Sequence, residues 1–202
     1  MITNLLAFDF DGVIVDSSSA KGETFFKLFS KFGLKCANFS KELHLKFPQK
    51  TRVEKIQIIM EKFNLDMSMK QSLIDDFAFL SNTFLNNLKP YSGLDDFLLS
   101  ARNYNFVIIS IAPFEEINFY LHQNDLKKFF LNVYGAPLVK REILLKLKES
   151  FDKVYFIGDA ISDQEATLNT SINFIGKING SNPFSEKTIT FKDYSELKGK
   201  LT

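Results

Sequence analysis

Two aspartates separated by one residue follow the first apolar segment of the chain. In the stretch LLAFDFDGVIVDS, residues 5–17, Asp9 and Asp11 come directly after four apolar residues, and Gly12 follows them. Two carboxylates held this close repel each other unless a cation or a shared proton compensates their charge. The pair therefore predicts a site for metal or proton chemistry at the end of the first buried segment.

Polar residues also end the later apolar segments. Ser110 ends one of them, Asp159 ends another, and Asp163 follows four residues later. Lys140 begins a helical pattern between these two segments. Because ligands of open α/β sheets bind beyond the carboxyl ends of the strands, we expect these side chains to converge there. Three carboxylates suit a hard cation such as Mg²⁺, and a serine beside a lysine suits a phosphate.

Four short apolar segments are typical of strands buried on both faces. They are Leu5 to Phe8, Phe106 to Ile109, Val154 to Ile157 and Ile172 to Ile175. Helical spacings of apolar residues lie between the later segments, as after Lys140. This alternation of strands and helices predicts an α/β fold with a parallel sheet.

Residues 18–88 differ from the rest of the chain because they contain no strand-like segment. Three helical stripes of apolar residues follow one another there, and they begin near Phe25, Val53 and Leu73. We therefore predict that residues 1–17 and 89–202 form the α/β core and that residues 18–88 form an inserted helical domain.

The amino-acid composition limits the kinds of molecule that the protein is expected to bind. The chain has 202 residues, a net charge of +1 and 45% hydrophobic residues, which is typical of a globular protein without a basic field for nucleic acid. Cys36 is the single cysteine and is expected to be a small buried residue. No leader pattern and no long apolar stretch occurs, so we expect a cytoplasmic protein that acts on a small molecule and not at a membrane.

The acidic stretch and the later segments together resemble the haloacid dehalogenase superfamily, in its phosphatase branch. The D-x-D-G-[TV] motif is similar to residues 9–13, and Ser110 in VIIS is similar to the serine of motif II. Lys140 resembles the lysine of motif III, and GDAISD, residues 158–163, resembles motif IV. The resemblance implies a Rossmann-like core, with the helical insertion in the place of a C1 cap, as in phosphoglycolate phosphatases and β-phosphoglucomutases.

The resemblance also implies roles for the first two acids and for the cation. Asp9 would attack phosphorus and form an aspartyl-phosphate. Asp11 would protonate the leaving group and then activate the water that hydrolyses the phosphoenzyme. Mg²⁺ would be held by Asp9, by Asp159 and by Asp11, the last through its backbone carbonyl group.

The remaining motif residues would bind the phosphoryl group or orient its neighbours. Ser110 would bind phosphate oxygens, and Lys140 would offset charge on both Asp9 and the phosphoryl group. Asp163 would hold either Lys140 or a metal-bound water.

The insertion offers candidates for substrate recognition. Similar capped phosphatases often carry an arginine that faces the site, and Arg52 in HLKFPQKTRVEKI is our candidate for a substrate contact. His44 and Lys50 are the alternatives. Asp16 is expected to cap the first helix of the insertion.

The sequence therefore predicts a Mg²⁺-dependent phosphatase that acts on a small phosphorylated metabolite. A mutase of the β-phosphoglucomutase type shares every core motif and stays open, as does a binding module that senses a phosphometabolite without turnover. A phosphonate hydrolase would need a desolvated cap lysine, for which Lys50 is the candidate. The dehalogenase branch is disfavoured because its chemistry needs no acid at the position of Asp11.

Overall fold

The apolar segments of the core form one parallel sheet. The computed structural model describes residues 3–201. Its strands are β1 (Asn4–Phe8), β2 (Tyr104–Pro113), β3 (Asn132–Ala136), β4 (Lys153–Gly158), β5 (Asn173–Lys177) and β6 (Ile189–Phe191). They are ordered β3-β2-β1-β4-β5-β6, and every neighbouring pair is parallel. The predicted α/β class is confirmed, and the four predicted strands are all present.

The sequence prediction missed two strands, β3 and β6. Each lies at an edge of the sheet, and each is only partly buried. In β3, Val133 is the only large apolar residue that is buried, and Gly135 lies too close to Phe114 for any side chain. A strand buried on one side lacks the continuous apolar stretch that identifies a central strand.

The chain divides into two compact units, each with its own elements. One unit comprises residues up to Asp16 and from Lys89 onward, and the other comprises Ser17–Leu88. The helices of the second unit are α1 (Ser18–Phe29), α2 (Leu34–Lys46), α3 (Arg52–Lys62) and α4 (Lys70–Leu85). Their inward faces form one apolar cluster that includes Phe25, Ile56 and Phe77.

The sequence prediction of three helices in this unit missed α2. Ser40 and His44 are buried on its inward face, so polar residues interrupt the apolar stripe. The Ser40 hydroxyl is accommodated there because it donates to the Phe25 carbonyl oxygen at 3.0 Å. The expected helix cap was also wrong: the N-cap position of α1 is Ser17, one residue after Asp16.

The core sheet is covered on both faces by the helices of the first unit. These helices are α5 (Leu94–Ser100), α6 (Phe114–Gln123), α7 (Lys140–Lys148), α8 (Ile161–Thr167) and α9 (Tyr194–Leu197). Leu5 and Ala7 of β1 pack on one face in a cluster with Leu144. Phe8 points to the other face, where its ring meets that of Phe106 edge to face at 5.9 Å. Among the helices of residues 3–201, none has the length and apolar character that a membrane span requires.

Short backbone contacts join the two chain segments that flank the helical unit. The Gly12 N–H donates to the Val15 carbonyl oxygen at 2.8 Å and closes a tight turn after β1. Val15 then pairs with Pro90 in an antiparallel bridge, and the Tyr91 N–H donates to the Ile14 carbonyl oxygen at 3.0 Å. The chain therefore leaves the core and returns to it at neighbouring positions.

Candidate active site

Asp9 directly follows β1, in the middle of the sheet. Its N–H donates to the Ile157 carbonyl oxygen at 2.8 Å, which extends the pairing of β1 with β4 by one residue. Its Oδ1 accepts the Phe10 N–H at 2.7 Å, and the residue is 7% exposed. The backbone therefore fixes the position of a carboxylate that has little contact with solvent.

The Lys140 ammonium bridges two carboxylates. Lys140 is the first residue of α7, and its Nζ lies 2.8 Å from Asp9 Oδ2 and 2.6 Å from Asp163 Oδ1. The lysine side chain is 12% exposed, so solvent ions screen these pairs only weakly. Lys140 thus links the end of β1 to the first turn of α8.

Asp163 is packed against the end of β4. It is 1% exposed, and its Oδ2 accepts the Ala160 N–H at 3.2 Å. A Cβ atom on Gly158 would lie 2.4 Å from the Asp163 Cβ. The glycine of GDAISD is therefore required for this acid to reach Lys140.

Gly12 leaves room for Asp159 in a similar way. Its φ is +74°, a left-handed conformation that favours glycine. A Cβ atom on Gly12 would lie 1.9 Å from Asp159 Oδ2, in the space that the carboxylate occupies. The turn after β1 and the end of β4 can approach this closely only with glycine at this position.

Burial and mutual repulsion shift the proton affinities of these acids. Burial raises the pKa of Asp9 to about 7, with Asp163 and Asp159 adding to the rise and Lys140 opposing it. Burial, with Asp163, raises the pKa of Asp159 to about 6. Burial alone would lower the pKa of Lys140, but Asp163 and Asp9 hold it above its ordinary value. The lysine is therefore charged at neutral pH, and the acids favour a further positive charge nearby.

The donor set fits a hard divalent cation. One carboxylate oxygen from each of Asp9, Asp159 and Asp163 lies within 4.8 Å of the others. Carboxylate oxygens are the protein ligands that Mg²⁺ prefers. The side-chain cluster contains Asp163, whereas the sequence prediction named Asp11 as the third ligand, through its backbone carbonyl group. Asp11 is half-buried in the turn after β1, where it forms a parallel bridge with Val15.

Ser110 lies on β2, the strand next to β1. Phe8 of β1 is paired with Ile108 of β2. Asp9 and Ser110 follow this pair by one and two residues, so they lie near each other at the same end of neighbouring strands. Ser110 is 2% exposed, and its Oγ accepts the Ala112 N–H at 3.2 Å. Because that bond uses a lone pair, the hydroxyl proton can still be donated to an anion.

A family model described as "Haloacid dehalogenase-like hydrolase" matches residues 6–177. This range includes the turn after β1, the whole helical unit, most of the core unit and all six core residues singled out in the sequence. The chain belongs to this family of hydrolases. The contact between Lys140 and Asp9 described above thus belongs to a protein of this family.

Three solved structures share the fold over almost the whole chain. A predicted phosphoglycolate phosphatase from Haemophilus somnus has a TM-score of 0.82 at 17% identity and covers 99% of this chain and 98% of its own. A protein provisionally called a beta-phosphoglucomutase, from Thermotoga maritima, has a TM-score of 0.74 at 20% identity, with 98% and 100% covered. CbbY from Rhodobacter sphaeroides, in complex with xylulose-(1,5)bisphosphate, has a TM-score of 0.77 at 12% identity, with 98% and 96% covered. No curated protein sequence matches the chain.

The predicted recognition residues of the helical unit have distinct surroundings. Arg52 begins α3, where Thr51 and Glu54 form a capping box, and its guanidinium lies 5.0 Å from the Phe77 ring centroid. His44 is buried on α2, and its Nδ1 is 3.2 Å from the Lys55 Nζ. Lys50 is half-buried in the bend before α3. A substrate role for these three residues stays a prediction.

Two residues of this site were not found from the sequence. The Asn179 side chain bonds to Asp159, and Lys177 lies behind it. A lysine that ends the apolar segment NFIGK is an unusual residue for a buried position, and it was the available signal.

Proposed function

We propose that this protein is a Mg²⁺-dependent phosphatase that hydrolyses a small phosphorylated metabolite in the cytoplasm. The observation that carries the proposal is the 2.8 Å contact of Lys140 with Asp9, beside the carboxylates of Asp159 and Asp163. A fixed carboxylate at the edge of a parallel sheet, next to a permanent positive charge, is suited to attack an anionic phosphoryl group. Membership of a hydrolase family supports the same reaction.

The reaction would proceed in two displacements at phosphorus, with Asp9 as the nucleophile of the first and the leaving group of the second. In the first, an Asp9 carboxylate oxygen bonds to phosphorus and the bond from phosphorus to the substrate oxygen breaks, while Asp11 donates a proton to that oxygen. In the second, Asp11 takes a proton from water, the water oxygen bonds to phosphorus, and the acyl phosphate bond breaks. Inorganic phosphate and the ionised Asp9 are regenerated.

The other residues would hold charge in place during both steps. Lys140 offsets the negative charge of Asp9 and the phosphoryl oxygens, Asp163 fixes the lysine, and the Ser110 hydroxyl donates to a phosphoryl oxygen. Asp9, Asp159 and the Asp11 backbone carbonyl group would hold Mg²⁺. When bound, the cation neutralises charge that develops on the transferred group.

We expect metal removal to abolish hydrolysis of a generic aryl phosphate, and added Mg²⁺ to restore it. The Mg²⁺ concentration that gives half-maximal activity should rise as the pH falls from about 8 to about 6, because protons compete for the cation's ligands. Asp9 and Asp159 have pKa values of about 7 and about 6 without a cation. The measurement is initial velocity against Mg²⁺ concentration at each pH.

Calcium is the matched control for this titration. It should replace Mg²⁺ poorly, because its larger and more flexible coordination shell misaligns an in-line attack. Full activity in protein treated with a chelator would contradict the proposal.

A small phosphorylated carbohydrate or hydroxy acid is the substrate class we propose. The names of two structural relatives point to phosphoglycolate and to a sugar bisphosphate. The rival reaction is that of a mutase, in which a sugar hydroxyl accepts the phosphoryl group from Asp9. Release of inorganic phosphate from a panel of sugar phosphates and phosphoglycolate distinguishes a phosphatase from a mutase or a binding module.

We propose that the helical unit selects the organic part of the substrate and that Arg52 makes the contact. The core residues bind only the phosphoryl group and the cation, so discrimination must come from another segment. Arg52→Ala should lower kcat/KM for the preferred metabolite by about tenfold or more, which corresponds to about 1.4 kcal/mol. Small aryl phosphates lack the group that an arginine would hold, and their hydrolysis should change little.

Arg102→Ala is the control, because Arg102 is an exposed arginine of the core unit whose Nε donates to the Leu99 carbonyl oxygen. It should leave both substrates unaffected. An equal loss for the metabolite and the aryl phosphate in Arg52→Ala would move the assignment to His44 or Lys50.

A further inference from the structure

The Asn179 side chain joins the two acidic segments of the candidate site. Asn179 follows β5 by two residues, and its Nδ2 donates to the Gly12 carbonyl oxygen at 2.7 Å and to Asp159 Oδ2 at 3.1 Å. Both protons of the amide nitrogen are therefore used. One fixes the turn that carries Asp9 and Asp11, and the other fixes the carboxylate at the end of β4.

Lys177 determines which way this amide points. Its Nζ lies 2.5 Å from Asn179 Oδ1, and a lysine ammonium can only donate. The amide oxygen must therefore face Lys177, which directs the nitrogen towards the two acceptors. The reverse orientation would place the amide oxygen against Gly12 O and Asp159 Oδ2, two further acceptors.

The position of Lys177 is itself fixed. The residue is 2% exposed although it ends a strand, and its Nζ lies 3.4 Å from the centroid of the Tyr91 ring. A cation over an aromatic face gains an electrostatic attraction that offsets part of its loss of hydration. Tyr91, Lys177, Asn179 and Asp159 thus form a continuous series of contacts that ends on the candidate cation site.

We propose that Asn179, oriented by Lys177, is a positioning residue that holds the Asp159 carboxylate and the Gly12 turn in the geometry required for cation binding. This inference rests on the proposed function. Asn179 touches neither the phosphoryl group nor Asp9 in this scheme, and it acts through Asp159 and the turn. Outer residues that orient a metal ligand typically change metal affinity or activity by about 10- to 100-fold when they are removed.

The test is the affinity for Mg²⁺ alone, measured by calorimetric titration of the full chain without substrate. Asn179→Ala should weaken Mg²⁺ binding by about 10- to 100-fold. Asn179→Ala should also hydrolyse an aryl phosphate more slowly at low Mg²⁺ concentration. Saturating Mg²⁺ should largely restore this activity, with the KM for the aryl phosphate unchanged. Asn173→Ala is the control, since Asn173 is an exposed asparagine at the start of β5, the strand that Asn179 follows, and it should leave Mg²⁺ binding unchanged.

A double-mutant cycle tests the order of the contacts. Lys177→Met removes the ammonium but retains the apolar stem, and it should weaken Mg²⁺ binding in the parent protein. In the Asn179→Ala background the same substitution should cause no further weakening, because the remaining direct interaction of the Lys177 charge with Asp159 opposes a bound cation. Additive effects of the two substitutions would overturn the role of Lys177.

The outcomes separate this inference from the proposed function. Unchanged Mg²⁺ affinity in Asn179→Ala, with only a lower melting temperature, would show a structural role and overturn the inference. A parent protein that binds Mg²⁺ but hydrolyses no phosphate ester would overturn the proposed function instead. Weaker Mg²⁺ binding in Asn179→Ala, with Asn173→Ala unchanged, supports the inference.

Discussion

Asp9→Asn should abolish formation of a phosphoenzyme and lower turnover by roughly 10⁴-fold or more, the scale of loss when a covalent nucleophile is removed. An amide oxygen can still accept the Phe10 N–H, but it does not attack phosphorus. Lys140 keeps its contact with Asp163, so the fold should be retained. The substitution also removes a carboxyl whose pKa burial raises to about 7, which is a group that destabilises the folded state when ionised.

A rapid-quench experiment with a phosphate ester labelled in the phosphoryl group measures the phosphoenzyme directly. Asp11→Asn is the informative comparison, because it leaves the nucleophile in place and removes the proposed acid and base. That variant should still form the phosphoenzyme from an ester with a good leaving group and should hydrolyse it slowly. Covalent phosphate in Asp9→Asn would show that another residue is the nucleophile.

Lys140→Met should reduce both activity and stability. Without the ammonium, Asp9 and Asp163 keep their burial and lose the cation that both contact. Removing one partner of a buried ion pair costs about 3–5 kcal/mol of stability. Loss of a positive charge that stabilises the transferred group lowers kcat by about 10²- to 10³-fold. Lys140→Arg keeps the charge and should recover most of the stability, although its planar guanidinium fits the two acids less well.

The stability loss in Lys140→Met should depend on pH. Without a cation, the pKa of Asp9 is about 7 in the folded protein against an ordinary value of 3.8, so the folded state binds the extra proton over this interval. The contribution of Asp9 to stability therefore falls as the pH rises through it. Lys140 lowers the pKa of Asp9, so its removal extends the fall to higher pH.

Urea unfolding of both proteins in a chelator measures this effect. The difference in the free energy of unfolding should be larger at about pH 8 than at about pH 5, because a protonated Asp9 needs no counter-charge. A difference that is the same at both pH values would mean that Lys140 does not compensate the charge of Asp9.

The central strands and the acidic motif could be predicted from the sequence because the acidic residues directly follow the buried strands. Strands buried on both faces give continuous apolar segments, and Asp9 and Asp159 follow two of them directly. Neighbouring parallel strands bring such residues to one edge of the sheet, so sequence order was enough to group them. The structure places the Lys140 ammonium against the carboxylates of Asp9 and Asp163.

Features that depend on contacts between segments distant in the sequence could not be predicted in this way. The edge strands β3 and β6 lack a continuous apolar segment, and α2 buries Ser40 and His44 where a helical stripe would be apolar. Asn179 lies 20 positions after Asp159 in an exposed loop, and only the pairing of β4 with β5 brings the two together. Polar residues in loops carry no periodic signal from which such a contact could be inferred.

The bridge between Val15 and Pro90 affects how the inserted segment of such a protein can change during evolution. Because the chain departs and re-enters at adjacent backbone positions, the core needs no particular length of polypeptide between them. Doubling the length of a flexible loop costs only about 0.6 kcal/mol of closure entropy, so the core is nearly indifferent to the size of what is inserted. Segments can be exchanged, shortened or recombined at this junction without altering the register of β1. If the helical unit selects the substrate, as we propose, ligand preference can evolve there while the residues proposed to contact the phosphoryl group stay the same.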